Sequence, residues 1–156
     1  MPAYIAVVGA ARASAEEEQA AQAVGRGLAE AGAVVVCGGL GGVMEAACRG
    51  AKAGGGTTVG ILPGTRRSDA NAYVDVAIPT GLGEMRNGLV VRAVDGLVAV
   101  GGEFGTLSEI ALALKAGKPV VALGSWELAQ AGEPVEAIVR AGSAEDAVAR
   151  VLAACG

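Results

Sequence analysis

The sequence predicts an α/β domain, a single doubly wound parallel sheet covered by helices on both faces. Three observations carry that expectation. Short, almost unbroken apolar runs such as Tyr4–Gly9 (YIAVVG) and Gly96–Val100 (GLVAV) have the uniform hydrophobicity of strands buried on both faces. Stretches with apolar residues at helical spacing alternate with them along the chain, the pattern of parallel strands joined by crossover helices. Glycines close three of the strand runs, at Gly9, at Gly38-Gly39 and at Gly101-Gly102. With right-handed crossovers those ends open on one edge of the sheet, where such folds bind ligands.

Tyr4–Gly9 is the first strand. Ala15–Ala31 reads as a helix, with Glu16, Glu17 and Glu18 in its first turn, where acids suit the positive end of the helix dipole. Val34–Cys37 is a short buried strand, and a helix over Gly41–Ala53 follows a glycine loop. Thr57–Leu62 (TTVGIL) is a strand closed by Pro63-Gly64, and the polar stretch Thr65–Asn71 reads as a mobile loop. Val74–Ile78 alternates as a short strand, and Leu82–Val94 has helical spacing. Strand Gly96–Val100, helix Thr106–Ala116 and strand Pro119–Leu123 follow, and shorter fragments lead to a last helix over Ala144–Ala154. No repeat or linker divides the chain, so residues 1–156 are expected to form one nucleotide-binding domain of the Rossmann type.

Composition narrows the function classes. Hydrophobic residues make up 53% of the chain and charged residues 18%, which excludes a disordered protein. No apolar run approaches the ~18 residues of a membrane span. The start MPAYIAVVGA carries no basic leader, so a cytoplasmic location is expected. The net charge of −4 and the lack of a basic run argue against a nucleic-acid partner. Cys37, Cys48 and Cys155 fit no zinc spacing, so free thiols and no metal are expected. The chain has no histidine, which removes Ser–His and Cys–His nucleophiles. Acid–base chemistry must come from Asp, Glu, Tyr, Lys, Cys or water.

Two glycine loops point to a phosphate. Gly101–Thr106 (GGEFGT) joins a strand to a helix. Glycines there let backbone N–H groups turn toward a bound oxygen, the helix N-terminus adds partial positive charge, and Thr106 adds a hydroxyl. Gly38–Met44 (GGLGGVM) is a second such loop. Each alone reads equally as a tight turn; two at neighbouring strand ends favour a phosphorylated ligand. Neither is a Walker P-loop or a dinucleotide fingerprint. Glu109 has two readings. Thr106-Leu107-Ser108-Glu109 matches a capping box, or the carboxylate faces the ligand, to activate water or stabilise a developing cation. Arg86, beside the apolar stripe Leu82, Met85, Leu89 and Val90, is either a solvated edge or the partner of Glu109 in the cleft.

The segments GGLGGVMEAACRGAKAGGGTTVGILPG, MRNGLVVRAVDGLVAVGG and FGTLSEIALAL resemble the lysine-decarboxylase-like nucleotide-binding proteins, over roughly residues 4 to 124. That family includes the LONELY GUY phosphoribohydrolases, which cleave the N-glycosidic bond of cytokinin riboside 5′-monophosphates and often of AMP. The resemblance implies catalytic roles for Glu109 and Arg86. It implies nucleotide or phosphate binding by Gly9, Gly39, Gly41, Gly42, Met85, Gly102, Phe104, Gly105 and Thr106. Asp95 fits the family spacing as well. No cofactor is expected, pyridoxal phosphate included, and a homodimer or tetramer is. The chain departs from the pattern at Asn87, where the family has lysine, and at Glu103, where it has glycine. The short chain, the Arg86-Asn87 pair and the segment from GGTTVGILPG through VDVAIPTGLG look closer to the branch of the molybdenum cofactor carrier proteins, which bind a phosphorylated pterin. The expected activity is therefore cleavage of a nucleoside 5′-monophosphate to free base and ribose 5-phosphate. The alternative is a non-catalytic carrier of molybdenum cofactor or another phosphorylated small molecule.

Overall fold

The computed structural model describes all 156 residues. In chain order the elements are β1 (Tyr4–Gly9), α1 (Ala15–Glu30), β2 (Val34–Cys37), α2 (Val43–Ala53), β3 (Thr58–Leu62), β4 (Val76–Pro79), α3 (Asn87–Arg92), β5 (Gly96–Val100), α4 (Phe104–Lys115), β6 (Val120–Leu123), β7 (Ala129–Gln130), β8 (Glu133–Pro134), β9 (Ile138–Arg140) and α5 (Ala144–Cys155). Short 3₁₀ turns occupy Arg67–Asp69 and Gly83–Arg86.

Seven strands form one sheet in the order β4-β3-β2-β1-β5-β6-β9, and every neighbouring pair is parallel. The doubly wound α/β fold expected from the sequence is thus present. β7 and β8 form a separate antiparallel pair. The strand order reverses at β1, which pairs with β2 on one side and with β5 on the other, in register Val7↔Val98 and Gly9↔Val100. A crevice opens beyond the C-terminal ends at such a reversal.

The uniform apolar strands are explained by two buried layers. Ile5 and Val7 of β1 join Val24, Leu28, Val35, Val98 and Val151 beneath α1, α2 and α5. Ala6 and Val8 face the other way and join Val36, Val90, Leu97 and Ile110 beneath α3 and α4. On the first face α1 and α2 touch backbone to backbone. A methyl group at Gly25 would collide with the Ala47 carbonyl oxygen, and one at Gly50 with that of Gln22.

Most element boundaries shift by one or two residues from the sequence reading, and three of the differences have a clear local reason. β4 begins at Val76, because the Val74 N–H turns back to the Asn71 carbonyl and the Asp75 carboxylate is held by the Thr58 N–H and the Lys52 ammonium. The helical pattern over Leu82–Val94 divides into a 3₁₀ turn and the six-residue α3, with Gly83 at φ 59° opening the turn. Lys118 Nζ closes α3 by donating to the carbonyls of Val91, Arg92 and Val94. α4 begins at Phe104 rather than Thr106. Gly101 and Gly102, at φ 55° and 102°, turn the chain within two residues of β5. Thr106 and Glu109 therefore lie inside the helix, and the capping box over Thr106–Glu109 does not form.

Candidate functional site

A cavity of about 1250 Å³ lies over the C-terminal ends of β1 and β5. Its wall is built from the β1–α1 loop (Gly9, Ala10, Ala11, Arg12), the loop after β2 (Gly38, Leu40, Met44), the turn Gly83–Gly88 and the first two turns of α4.

Three helix N-termini approach this edge, and they are used differently. Ser14 and Glu17 cap α1 reciprocally, each side chain accepting from the other's backbone N–H at 3.1 Å. That end is spent on itself. α2 starts from Gly42 at φ 63°, and the Val43 N–H donates to the Ala10 carbonyl at 3.1 Å. A methyl group at Gly42 would strike the Ala10 carbonyl oxygen, so glycine is required for the two loops to pack together. α4 follows Glu103 with no side-chain cap, and its first turn of N–H groups borders the cavity at Phe104, Gly105 and Thr106. An uncapped helix N-terminus carries unpaired donors and partial positive charge, and it suits an anion.

Arg86 ends the 3₁₀ turn and is buried, with 9% of its surface exposed. Its Nη2 donates to the Gly38 carbonyl at 3.3 Å and its Nη1 to the Asn87 side-chain oxygen. Its Nε is buried without a partner. Glu109 is 7% exposed and borders the cavity one turn beyond Gly105. Arg86 and Glu109 form no direct ion pair, unlike five other charged pairs of the chain. Burial pushes the Glu109 carboxyl up to about 7, against the opposing pull of the Arg86 guanidinium. The solvated-edge reading of Arg86 is corrected: it is buried at the cavity floor.

The other expected site residues are distributed around this centre. Gly9, Met85, Phe104, Gly105 and Thr106 border the cavity. Gly39, Gly41, Gly42 and Gly102, expected to bind the ligand, do not line it. Gly39 anchors the loop ahead of β4, accepting the Asn71 N–H at 2.9 Å, and Gly102 packs on the Thr106 side chain. Nothing lies within 4 Å of a methyl group placed at Gly105, so this position faces open space. Glu103 is exposed at the rim and its side chain makes no ion pair, while its carbonyl accepts from Trp126 Nε1 at 3.1 Å. Asp95 lies at the opposite edge of the sheet, accepting the Tyr4 N–H at 2.8 Å.

Beneath the floor, Cys37 and Cys48 sit with sulfurs 3.5 Å apart, both buried and free. The Cys48 thiol, then the Gly39 N–H and the Arg86 charge, draw the Cys37 thiol down against the opposing effect of burial. The sequence reading missed Ala10, Ala11, Arg12, Asn87 and Ser108 as cavity residues. The β1–α1 loop could have been found, because it leaves the same sheet edge as the two glycine loops.

No helix is long and apolar enough to cross a membrane. The chain is 48% identical over 120 residues to an uncharacterized protein of Archaeoglobus fulgidus, which covers 76% of this chain and 78% of that one. Its fold matches the molybdenum cofactor binding protein of Rippkaea orientalis with a TM-score of 0.90, at 36% identity, covering 98% of this chain and 97% of the other. It matches the molybdenum cofactor carrier protein of Chlamydomonas reinhardtii with a TM-score of 0.83, at 34% identity, covering 99% and 98%. The model of the SLOG cluster4 family matches residues 2–148, and the chain belongs to that family.

Proposed function

We propose that this protein carries a phosphorylated small molecule, a pterin-type cofactor or a nucleoside 5′-monophosphate, and releases it unchanged. The observation that carries this reading is the uncapped N-terminus of α4, which borders a cavity of about 1250 Å³ beside the buried Arg86. The phosphate sits on the Phe104–Thr106 turn, in the space left open at Gly105. Carriage is favoured over cleavage by the relatives at 34–36% identity, which bind or carry molybdenum cofactor. It is also favoured by Arg86, whose two terminal nitrogens are engaged by Gly38 and Asn87. A buried Glu109 that is neutral below about pH 7 offers no standing charge to an oxocarbenium-like ribose.

One observation favours the phosphoribohydrolase reading. A carboxyl poised near 7 suits a general acid or base at physiological pH. The two are separated by incubating the protein with AMP, GMP, CMP and UMP and reading free base and ribose 5-phosphate by chromatography. Each nucleotide is expected back intact. Release of base from any of them would replace the carrier with a hydrolase, in which Glu109 and Arg86 are catalytic.

The homo-oligomer expected from the sequence is retained as part of this proposal, the partner being a second copy of the chain. Its support is the apolar surface around the cavity mouth, where Met85 and Phe104 are each 79% exposed and Leu82 51% exposed. Sedimentation velocity is expected to give a dimer or tetramer that Met85→Glu with Leu89→Glu reduces to monomer. A monomeric parent would contradict it.

A further inference from the structure

We propose that Asn87 and Ser108 are positioning residues that couple the Arg86 guanidinium to the first turn of α4, so that the buried cation and the anion-binding turn are held as one unit. Three hydrogen bonds make the connection. Arg86 Nη1 donates to Asn87 Oδ1, Asn87 Nδ2 donates to Ser108 Oγ at 3.0 Å, and Ser108 Oγ donates to the Gly105 carbonyl at 2.6 Å.

The direction of every bond is forced. A guanidinium has only donors, so the Asn87 oxygen must face it and the Asn87 amino group must face Ser108. The Ser108 hydroxyl accepts that bond and spends its own proton on the Gly105 carbonyl, which can only accept. One arrangement of protons satisfies the whole chain. It starts at the cavity floor and ends on the residue that leaves the ligand its open space. It also fixes one Arg86 nitrogen while Gly38 fixes another, leaving the buried Nε unengaged. Lysine at position 87, the residue of the resembling family, offers no acceptor and could not make this connection.

The bond between Asn87 and Ser108 is exposed to solvent, so its loss should scarcely move the melting temperature. What it should move is Arg86, and Glu109 reports on Arg86. The ionisable groups whose charges reach Glu109 are Arg86, from the 3₁₀ turn, and Cys37, from β2. Arg12, Glu84 and Glu103 line the same cavity.

The functional consequence rests on the anion-binding reading of the site, but the coupling does not, and the experiment keeps them apart. The Glu109 carboxyl is titrated by carbon-detected NMR in the free protein, in the parent, Asn87→Ala, Ser108→Ala and Ser108→Thr. Both alanine variants are expected to lower the Glu109 midpoint by at least about half a pH unit, because a released guanidinium is free to approach the carboxylate whose ionisation it already favours. Ser108→Thr keeps the hydroxyl and is expected to restore the parent midpoint. Calorimetry with inorganic phosphate is then expected to show weaker binding by about threefold or more in both alanine variants, with the double variant no weaker than the weaker single. An unmoved midpoint in either alanine variant overturns the coupling, whatever phosphate does. Moved midpoints in the alanine variants, with a parent that binds neither inorganic phosphate nor a nucleoside monophosphate, uphold the coupling and overturn phosphate binding at the first turn of α4.

Discussion

Glu109→Gln is expected to gain stability over the parent as pH rises from 5 to 8.5. Burial raises the Glu109 carboxyl from the usual carboxylate range to about 7, so near pH 5 to 7 the folded chain holds a proton that the unfolded chain has lost. The resulting stability is fully present below the unfolded value and is lost as pH rises through 7. Charging the group above pH 8 costs the folded state about 2 to 3 kcal/mol relative to pH 5. Glutamine does not titrate. The difference in Tm between variant and parent should therefore grow by roughly 5 to 10 °C over that interval for a chain of this size. Any fixed cost of burying an amide cancels, being the same at both pH values. A capping Glu109 would give a difference independent of pH, and that result would return the residue to its local role.

Gly50→Ala is expected to lose at least about 2 kcal/mol of stability in urea denaturation, although alanine is the better helix former by ~1 kcal/mol. Local propensity and tertiary packing predict opposite signs here. The added methyl group meets the Gln22 carbonyl and approaches the Arg26 nitrogen at 3.0 Å, all backbone atoms with no rotamer to yield. Helices α1 and α2 would have to part, unpacking Val24, Ala46 and Ala47 from one another. The damage reaches the site, because α2 carries Met44 and follows the loop that holds Gly38 against Arg86. A variant more stable than the parent would mean that the helices do not meet this closely.

The parts of this protein that were legible in the sequence are those with a local cause. Strands buried on both faces must be apolar at every position, so YIAVVG and GLVAV declare a parallel sheet, and the glycines after them declare its functional edge. The start of α4 was not legible. Thr106 and Glu109 have the spacing of a capping box, and only the positive φ of Gly101 and Gly102 shows that the helix has already begun. The same shift places Glu109 on the buried face of the helix instead of at its cap. Arg86 was ambiguous because its depth depends on Gly38, 48 positions earlier. The Asn87–Ser108 connection joins two elements and leaves no trace in spacing. At positions 129–130 and 133–134 the strands are two residues long, too short for any periodicity.

Anion binding at the first turn of α4 is the central claim, and Gly105→Asp tests it most directly. The position faces open space, so the fold should persist, while the new carboxylate would occupy the room of the phosphate and repel it. Calorimetric titration with GMP, AMP and inorganic phosphate is expected to show binding to the parent and a loss of at least about tenfold in Gly105→Asp, at an unchanged circular dichroism spectrum. Equal affinity in parent and variant would contradict the account and reduce the Gly101–Thr106 loop to a turn between strand and helix.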